Sequence, residues 1–194
     1  MALIVVLTIG VLIGTNLGKD GPIDALLKKN ELTTQSFLIE EQLLKTLGTD
    51  CKNIQKRFLS TADEVVELAK ILEPENTEKE IGTEKYTYLK TRFQLLQIKR
   101  YITAHKISEN CDGNDVVLYY YGRNEESRKQ GLILDEIVKE KDITVIAIEK
   151  GHSEETKFLE EYYSIEKAPT LIINFETKLK GLIEKEEIEK FILN

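Results

Sequence analysis

The sequence predicts an α/β protein in three parts: an N-terminal membrane helix over residues 1–18, an antiparallel helical hairpin within residues 19–111, and a β-α-β-α-β-β-α domain over residues 112–194. Three observations predict it. Residues Ala2 to Leu17 carry no charge. Apolar residues then recur at helical spacing of three and four as far as about Lys106. Beyond the turn cluster Asp112-Gly113-Asn114-Asp115, β-branched runs alternate with helical segments.

The first part is dominated by Ala2-Leu3-Ile4-Val5-Val6-Leu7 and Val11-Leu12-Ile13. As a helix it would span roughly 24–27 Å, enough for a bilayer. No Lys or Arg precedes the run, and Thr15-Asn16-Leu17-Gly18 matches a small-residue cleavage site poorly, which favours an uncleaved anchor over a signal segment. Gly18-Lys19-Asp20-Gly21-Pro22 then forms the junction to the body. Lys19, Lys28 and Lys29 are interleaved with Asp20 and Asp24 and taken alone favour a cytoplasmic body. The four-residue spacing of Gly10, Gly14 and Gly18 permits two such helices to pack together but does not require it.

A first helix is expected over Glu31–Leu47, ended by Gly48. Asp50 caps a second, in which Ile54, Phe58, Ala62, Val65, Leu68/Ala69 and Leu72 form one face before Pro74 stops it. A third runs from about Glu84 to Lys106, with Leu89, Phe93 and Leu96 on one line and Tyr88, Leu95, Ile98 and Ile102 beside it.

The chain's two cysteines sharpen this arrangement. Cys51 opens the second helix, Cys111 lies just past the third, and each is 30 positions from Ile81. Antiparallel helices of equal rise bring their open ends together, which favours a Cys51–Cys111 bridge closing a loop of about 60 residues. Two unrelated buried thiols, or a reactive pair, are the alternatives. A bridge argues for an extracytoplasmic body, against the weak lysine signal, because structural disulfides persist outside reducing compartments.

In the last part, Val116 to Tyr121 reads as a central buried strand, Asn124 to Lys139 as a helix, and Ile143 to Ile148 as the next strand. Ser153 is expected to cap a helix carrying Phe158, Leu159 and Tyr162. Ala168-Pro169 precedes a strand from Thr170 to Phe175, a tight reversal, a strand from Lys178 to Leu182, and a terminal helix from Glu184 bearing Ile188, Phe191 and Ile192. Strands separated by a helix should run parallel, and the last two should form an antiparallel hairpin.

This order, the Tyr119-Tyr120-Tyr121-Gly122 segment and Ala168-Pro169 opening the third strand resemble the thioredoxin superfamily over about 80 residues. The whole arrangement is similar to a group of membrane-anchored archaeal proteins in which an N-terminal apolar segment and a two-cysteine helical hairpin precede a thioredoxin-like domain. In that group the first strand leads into Cys-x-x-Cys and a Lys-Gln-Gly-like stretch. Arg128-Lys129-Gln130-Gly131 matches the latter, so Asn124-Glu125-Glu126-Ser127 stands where the cysteines belong, with Asn124 and Ser127 as the degenerate positions.

Thiol–disulfide exchange needs a thiolate, which neither an amide nor an alcohol supplies. The resemblance therefore implies the frame without catalysis there, and a binding or scaffold role, with exchange at Cys51 and Cys111 as the alternative. It further implies that Ala168, Pro169 and Thr170 form a loop able to offer backbone hydrogen bonds to an extended peptide; the plainer reading is that the proline only starts a strand.

The remaining polar residues point to no cofactor or metal. His105 and His152 share no metal-ligand spacing, Glu125-Glu126 complements a helix dipole, and no phosphate-cradling glycine motif occurs. A net charge of -7, with lysines and glutamates mixed along helical faces, excludes a nucleic-acid partner and leaves a membrane, through residues 1–18, and a protein or peptide as the expected partners.

Overall fold

The computed structural model describes residues 50–74 and 76–192. The apolar run 1–18 and the helix expected over Glu31–Leu47 lie outside the described residues. Among those described, no helix is long and apolar enough to cross a membrane.

Asp50 caps helix α1 (Cys51–Leu72), its carboxylate accepting from the Lys52 N–H at 3.2 Å. Ile54, Thr61, Val65 and Leu68 form its buried seam against a long helix, α3 (Thr83–Asn110). Between them lies a short helix that periodicity did not suggest, α2 (Thr77–Ile81), followed by Gly82 at φ 85°, a conformation that favours glycine. The two long helices are antiparallel, and Cys51 and Cys111 are joined at their open end in a disulfide with Cα atoms 5.7 Å apart.

Four strands follow: β1 (Asp115–Tyr121), β2 (Ile143–Glu149), β3 (Thr170–Ile173) and β4 (Thr177–Lys180), in the order β2-β1-β3-β4. The β1/β2 pair is parallel, the other two pairs antiparallel, with Tyr119 opposite both Ala147 and Leu171. Helix α4 (Glu125–Glu140) connects β1 to β2; a 3₁₀ turn (Glu154–Thr156) and α5 (Lys157–Tyr162) lead towards β3, and α6 (Lys185–Glu189) follows β4. This mixed α/β arrangement, with helices on both sheet faces, is consistent with a thioredoxin-like fold.

Alternation along β1 sends its side chains into two cores. Val116, Leu118 and Tyr120 meet Ile98, Tyr101 and Ala104 of α3, with Ile146, Ile148 and Ile172. Val117 and Tyr119 meet Leu134 and Ile137 of α4, with Leu171, Ile173, Ile188 and Ile192. Helix α3 and strand β1, on either side of the exposed turn at residues 112–114, therefore share one core, and from Asp50 onward the chain forms one compact unit.

Several local expectations are corrected. On α3, Tyr88, Leu95 and Ile102 are exposed, while Arg92, Gln94 and Gln97 are buried. The helix is gripped on two sides, by α1 and by the sheet, and the apolar line facing neither is left in solvent. Arg92 is accommodated by pairing with Glu64 of α1. Ser153 caps no backbone N–H; its hydroxyl lies 3.4 Å from that of Thr156 where the turn is 3₁₀, and only Leu159 of the expected apolar trio is buried.

Strand β3 stops at Ile173 because Asn174 and Phe175 take φ of 48° and 68°, and β4 stops before Gly181 at 92°. Asn174 is held there by bridging β1: its Oδ1 accepts from Val116 N–H at 2.9 Å and its amide donates to Asp115 at 2.6 Å. The terminal helix ends at Glu189, so Phe191 and Ile192 lie in a turn, where Ile192 nevertheless remains buried.

Candidate functional site

At the C-terminal end of β1 the chain turns through Gly122 and Arg123 into Asn124, which N-caps α4. The Asn124 Oδ1 accepts from the Ser127 N–H at 2.7 Å, satisfying one of the helix's free donors. The Ser127 hydroxyl turns inward and accepts from the Gly122 N–H at 2.9 Å, while the Tyr119 hydroxyl donates to the Ser127 carbonyl. Asn124 is exposed and Ser127 buried. A leading exposed group and a following buried one, four residues inclusive on one helix turn, is an arrangement suited to a nucleophilic and a resolving thiol.

The degenerate motif lies against the Ala168–Pro169 loop, whose peptide bond is cis. The Asn124 Nδ2 donates to the Ala168 carbonyl at 3.2 Å. A Cβ on Gly122 would stand 3.3 Å from both the Ala168 Cβ and the Asn124 Nδ2, tighter than most real contacts, so the two segments approach closely only over a bare backbone. Pro169 and Thr170 are committed elsewhere: the Pro169 carbonyl accepts from the Gly181 N–H at 2.9 Å, and the Thr170 hydroxyl donates to the Lys167 carbonyl at 2.8 Å. Ala168 is half-buried and carries the loop's accessible backbone edge.

On the other side of Asn124 opens a cleft of about 730 Å³. Its apolar walls include Phe93 of α3, Tyr121 of β1 and Ala147 of β2, with Arg123 and Arg128 also lining it. Glu149, at the end of β2, pairs with Lys90 of α3 and accepts from the Arg123 Nε at 2.9 Å, fastening hairpin, sheet and motif loop together. Burial works to raise the Glu149 carboxyl pKa, but hydrogen bonds from Lys90 and Arg123 outweigh it and hold the group below the usual carboxylate range. Burial and then the Glu149 charge push the Tyr121 phenol up to about 12, so it stays neutral.

Glu149→Gln should therefore destabilise the protein at neutral pH by about 1–3 kcal/mol, because two cations lose their counter-charge but Arg123 remains in solvent. The sign follows from the depressed pKa: the ion pair's stability is present above the unfolded-state carboxyl pKa and is lost as pH falls through the lower folded value. Thermal melts of both proteins across the acidic range check this. The gap should close at low pH, and a gap that is constant with pH would show that the carboxylate charge is not what holds the corner.

The other sequence candidates lie elsewhere. Cys51 and Cys111 sit at the far end of α3, with Cys111 roughly 27 Å along the helix from Phe93. Both cysteines are partly exposed. His152 lies 3.3 Å from the Thr91 hydroxyl, its pKa lowered by burial and then by Lys90. His105 packs edge-on against Phe175, 4.6 Å between centroids, beside Glu109. His152, in the turn after β2, thus lies against α3 at Thr91, well away from His105 further along that helix. Lys90, Arg123 and Glu149 went unread in the sequence, and Phe93 was read only as part of an apolar helix face. Nothing local marks Phe93 or Lys90 as site residues, since both occupy ordinary positions of an amphipathic helix.

What the corner can do chemically follows from its groups. An amide and an alcohol stand where a dithiol would be needed, and among the described residues no histidine or carboxylate bonds to the Ser127 hydroxyl to activate it. The groups the corner presents are the backbone at Ala168 and the side chains lining the cleft.

No family model matches the chain, and no curated protein matches it. Solved structures are similar to part of it, two among them being the following. One is a malarial protein, 18% identical, with the likeness covering 42% of this chain and 100% of that one at a TM-score of 0.34. The other is thioredoxin-2, described as a component of the malaria parasite's protein secretion machinery, 22% identical over 40% of this chain and 80% of that one, with a TM-score of 0.31.

Proposed function

We propose that this chain is a non-catalytic thioredoxin-like binding or scaffold protein, held by residues 1–18 at the extracytoplasmic face of a membrane, as in the membrane-anchored archaeal proteins it resembles. Its partner is an extended protein segment that pairs with the backbone at Ala168 beside Pro169. The single observation that carries the reading is the fate of the degenerate motif. Asn124 and Ser127 are absorbed into the cap of α4 and the turn at Gly122, and neither is a thiol. The Cys51–Cys111 bond supports an oxidising location, and the uncharged Ala2–Leu17 run supports an anchor.

A second reading is favoured by one observation: Cys51 is the first residue of α1, partly exposed, at a helix N-terminus where a thiolate is stabilised. On that reading the protein is a membrane-anchored thiol–disulfide oxidoreductase using Cys51 and Cys111. Insulin reduction and dithiol oxidation by the full chain separate the two. The expected result is no rate above the uncatalysed reaction. Turnover that disappears in Cys51→Ser or Cys111→Ser would overturn the binding reading in favour of the second. Alkylation of thiols in intact cells, followed by a non-reducing gel, reports the compartment: a chain found fully reduced there would sink the extracytoplasmic location.

A further inference from the structure

We propose that Asn124 is a latch: its side-chain amide occupies the Ala168 carbonyl that an extended peptide must use, so a peptide binds only by displacing it. The inference rests on the peptide reading above and adds a regulator to it.

The amide is fixed by two bonds that determine each other. Because Oδ1 accepts from the Ser127 N–H at 2.7 Å, the NH₂ end is turned to the opposite side, where it meets the Ala168 carbonyl at 3.2 Å. Bare backbone at Gly122 lets the two segments come this close. The neighbouring carbonyl of Pro169 is held by the Gly181 N–H and the Lys167 carbonyl by the Thr170 hydroxyl, both internal to the fold. Ala168 O is different, since its partner is a surface side chain and the bond itself is exposed. Such a bond is worth little net and exchanges readily, so an incoming backbone N–H can replace it without unfolding anything. Because the capping oxygen and the latching nitrogen belong to one planar amide, displacing the latch also loosens the cap bond to Ser127, a cost that strengthens the latch.

Asn124→Asp and Asn124→Ser test this. Both retain an oxygen that caps α4, and both remove the donor to Ala168 O. The probe is reduced, carboxamidomethylated ribonuclease A, a permanently extended polypeptide whose basic charge suits this acidic chain. Binding to the full-length protein is measured by titration, with thermal melts as the control. Both variants should bind the probe about fivefold more tightly than the unaltered chain, the factor expected from relieving one exposed hydrogen bond. Their melting temperatures should be little changed. Equal affinity in all three proteins overturns the latch while leaving peptide binding in place. Tightening in Asn124→Asp alone assigns the effect to the new charge and also overturns it. Binding by none of the three removes the peptide reading and the latch together.

Discussion

The double variant Asn124→Cys/Ser127→Cys is expected to reduce insulin with dithiothreitol as electron donor, where the unaltered chain adds nothing to the background rate. The frame for this chemistry is in place. Position 124 is exposed at the N-terminus of a 16-residue helix, and the Ser127 N–H already points at its side chain, where a sulfur would stand. A thiolate at such a helix end is stabilised by the free N–H groups and the dipole, which lowers a cysteine pKa from about 8.5 towards neutrality. Position 127 is 3% exposed, suited to a resolving thiol that attacks only within the mixed disulfide.

Losing the asparagine cap costs about 1 kcal/mol, small against the stability of a domain this size. The double variant should exceed the background by at least about tenfold, as expected for a low-pKa dithiol over a free one. Asn124→Cys alone should form mixed disulfides without turnover. The assay is run well below the unfolding transition, since dithiothreitol also reaches the Cys51–Cys111 bridge. An inert but normally folded double variant would mean that this corner no longer presents position 124 as an oxidoreductase does.

Reduction of Cys51–Cys111 is expected to lower the melting temperature by about 10 °C. The bridge spans 60 residues of sequence, and the chain-entropy model assigns a loop of that length about 4 kcal/mol of stabilisation. For a chain of this size each kcal/mol moves the midpoint by roughly 2–4 °C. Cys51→Ser, with or without reductant, should melt where the reduced protein does. The disulfide ties α1 to the end of α3, and α3 supplies Ile98, Tyr101 and Ala104 to one sheet core, so fraying there is transmitted to the strands. Identical melting of oxidised and reduced protein would show that packing of α1 on α3 closes the hairpin unaided.

Much of the fold was legible because its signals are local. Asp50 announces a helix start through its capping side chain and caps as expected, while Asn124, read only as the place where a helix begins, caps as well. The run Val116 to Tyr121 is apolar on both faces, as a strand covered on both sides must be. What was not legible involves choices among equivalent local patterns. Tyr88, Leu95 and Ile102 form as good an apolar line as Leu89, Phe93 and Leu96, and only the placement of α1 and the sheet decides which is covered. The stop at Ile173 depends on Asn174 reaching β1, a partner 58 residues away.

The candidate site divides in the same way. Asn124, Ser127 and Pro169 were identifiable as positions, because their spacing and neighbours match a known frame. Their use was not. That the Asn124 amide meets Ala168, 44 residues on, and that Lys90 and Phe93 complete the corner from the hairpin, depends on sheet order and on α3 packing across β2.

By itself, then, the sequence determined the order and type of the main described elements, the absence of a Cys-x-x-Cys after the first strand and the candidate cysteine pair, because periodicity, capping and residue chemistry act within a few positions. Only the tertiary structure decided that α3 belongs to the sheet's core, that Glu149 fastens the hairpin to the motif loop, and that the empty dithiol position is filled by an amide bonded to the proline loop. Those are meetings between distant segments, and their geometry is set by register and packing, which no local pattern encodes.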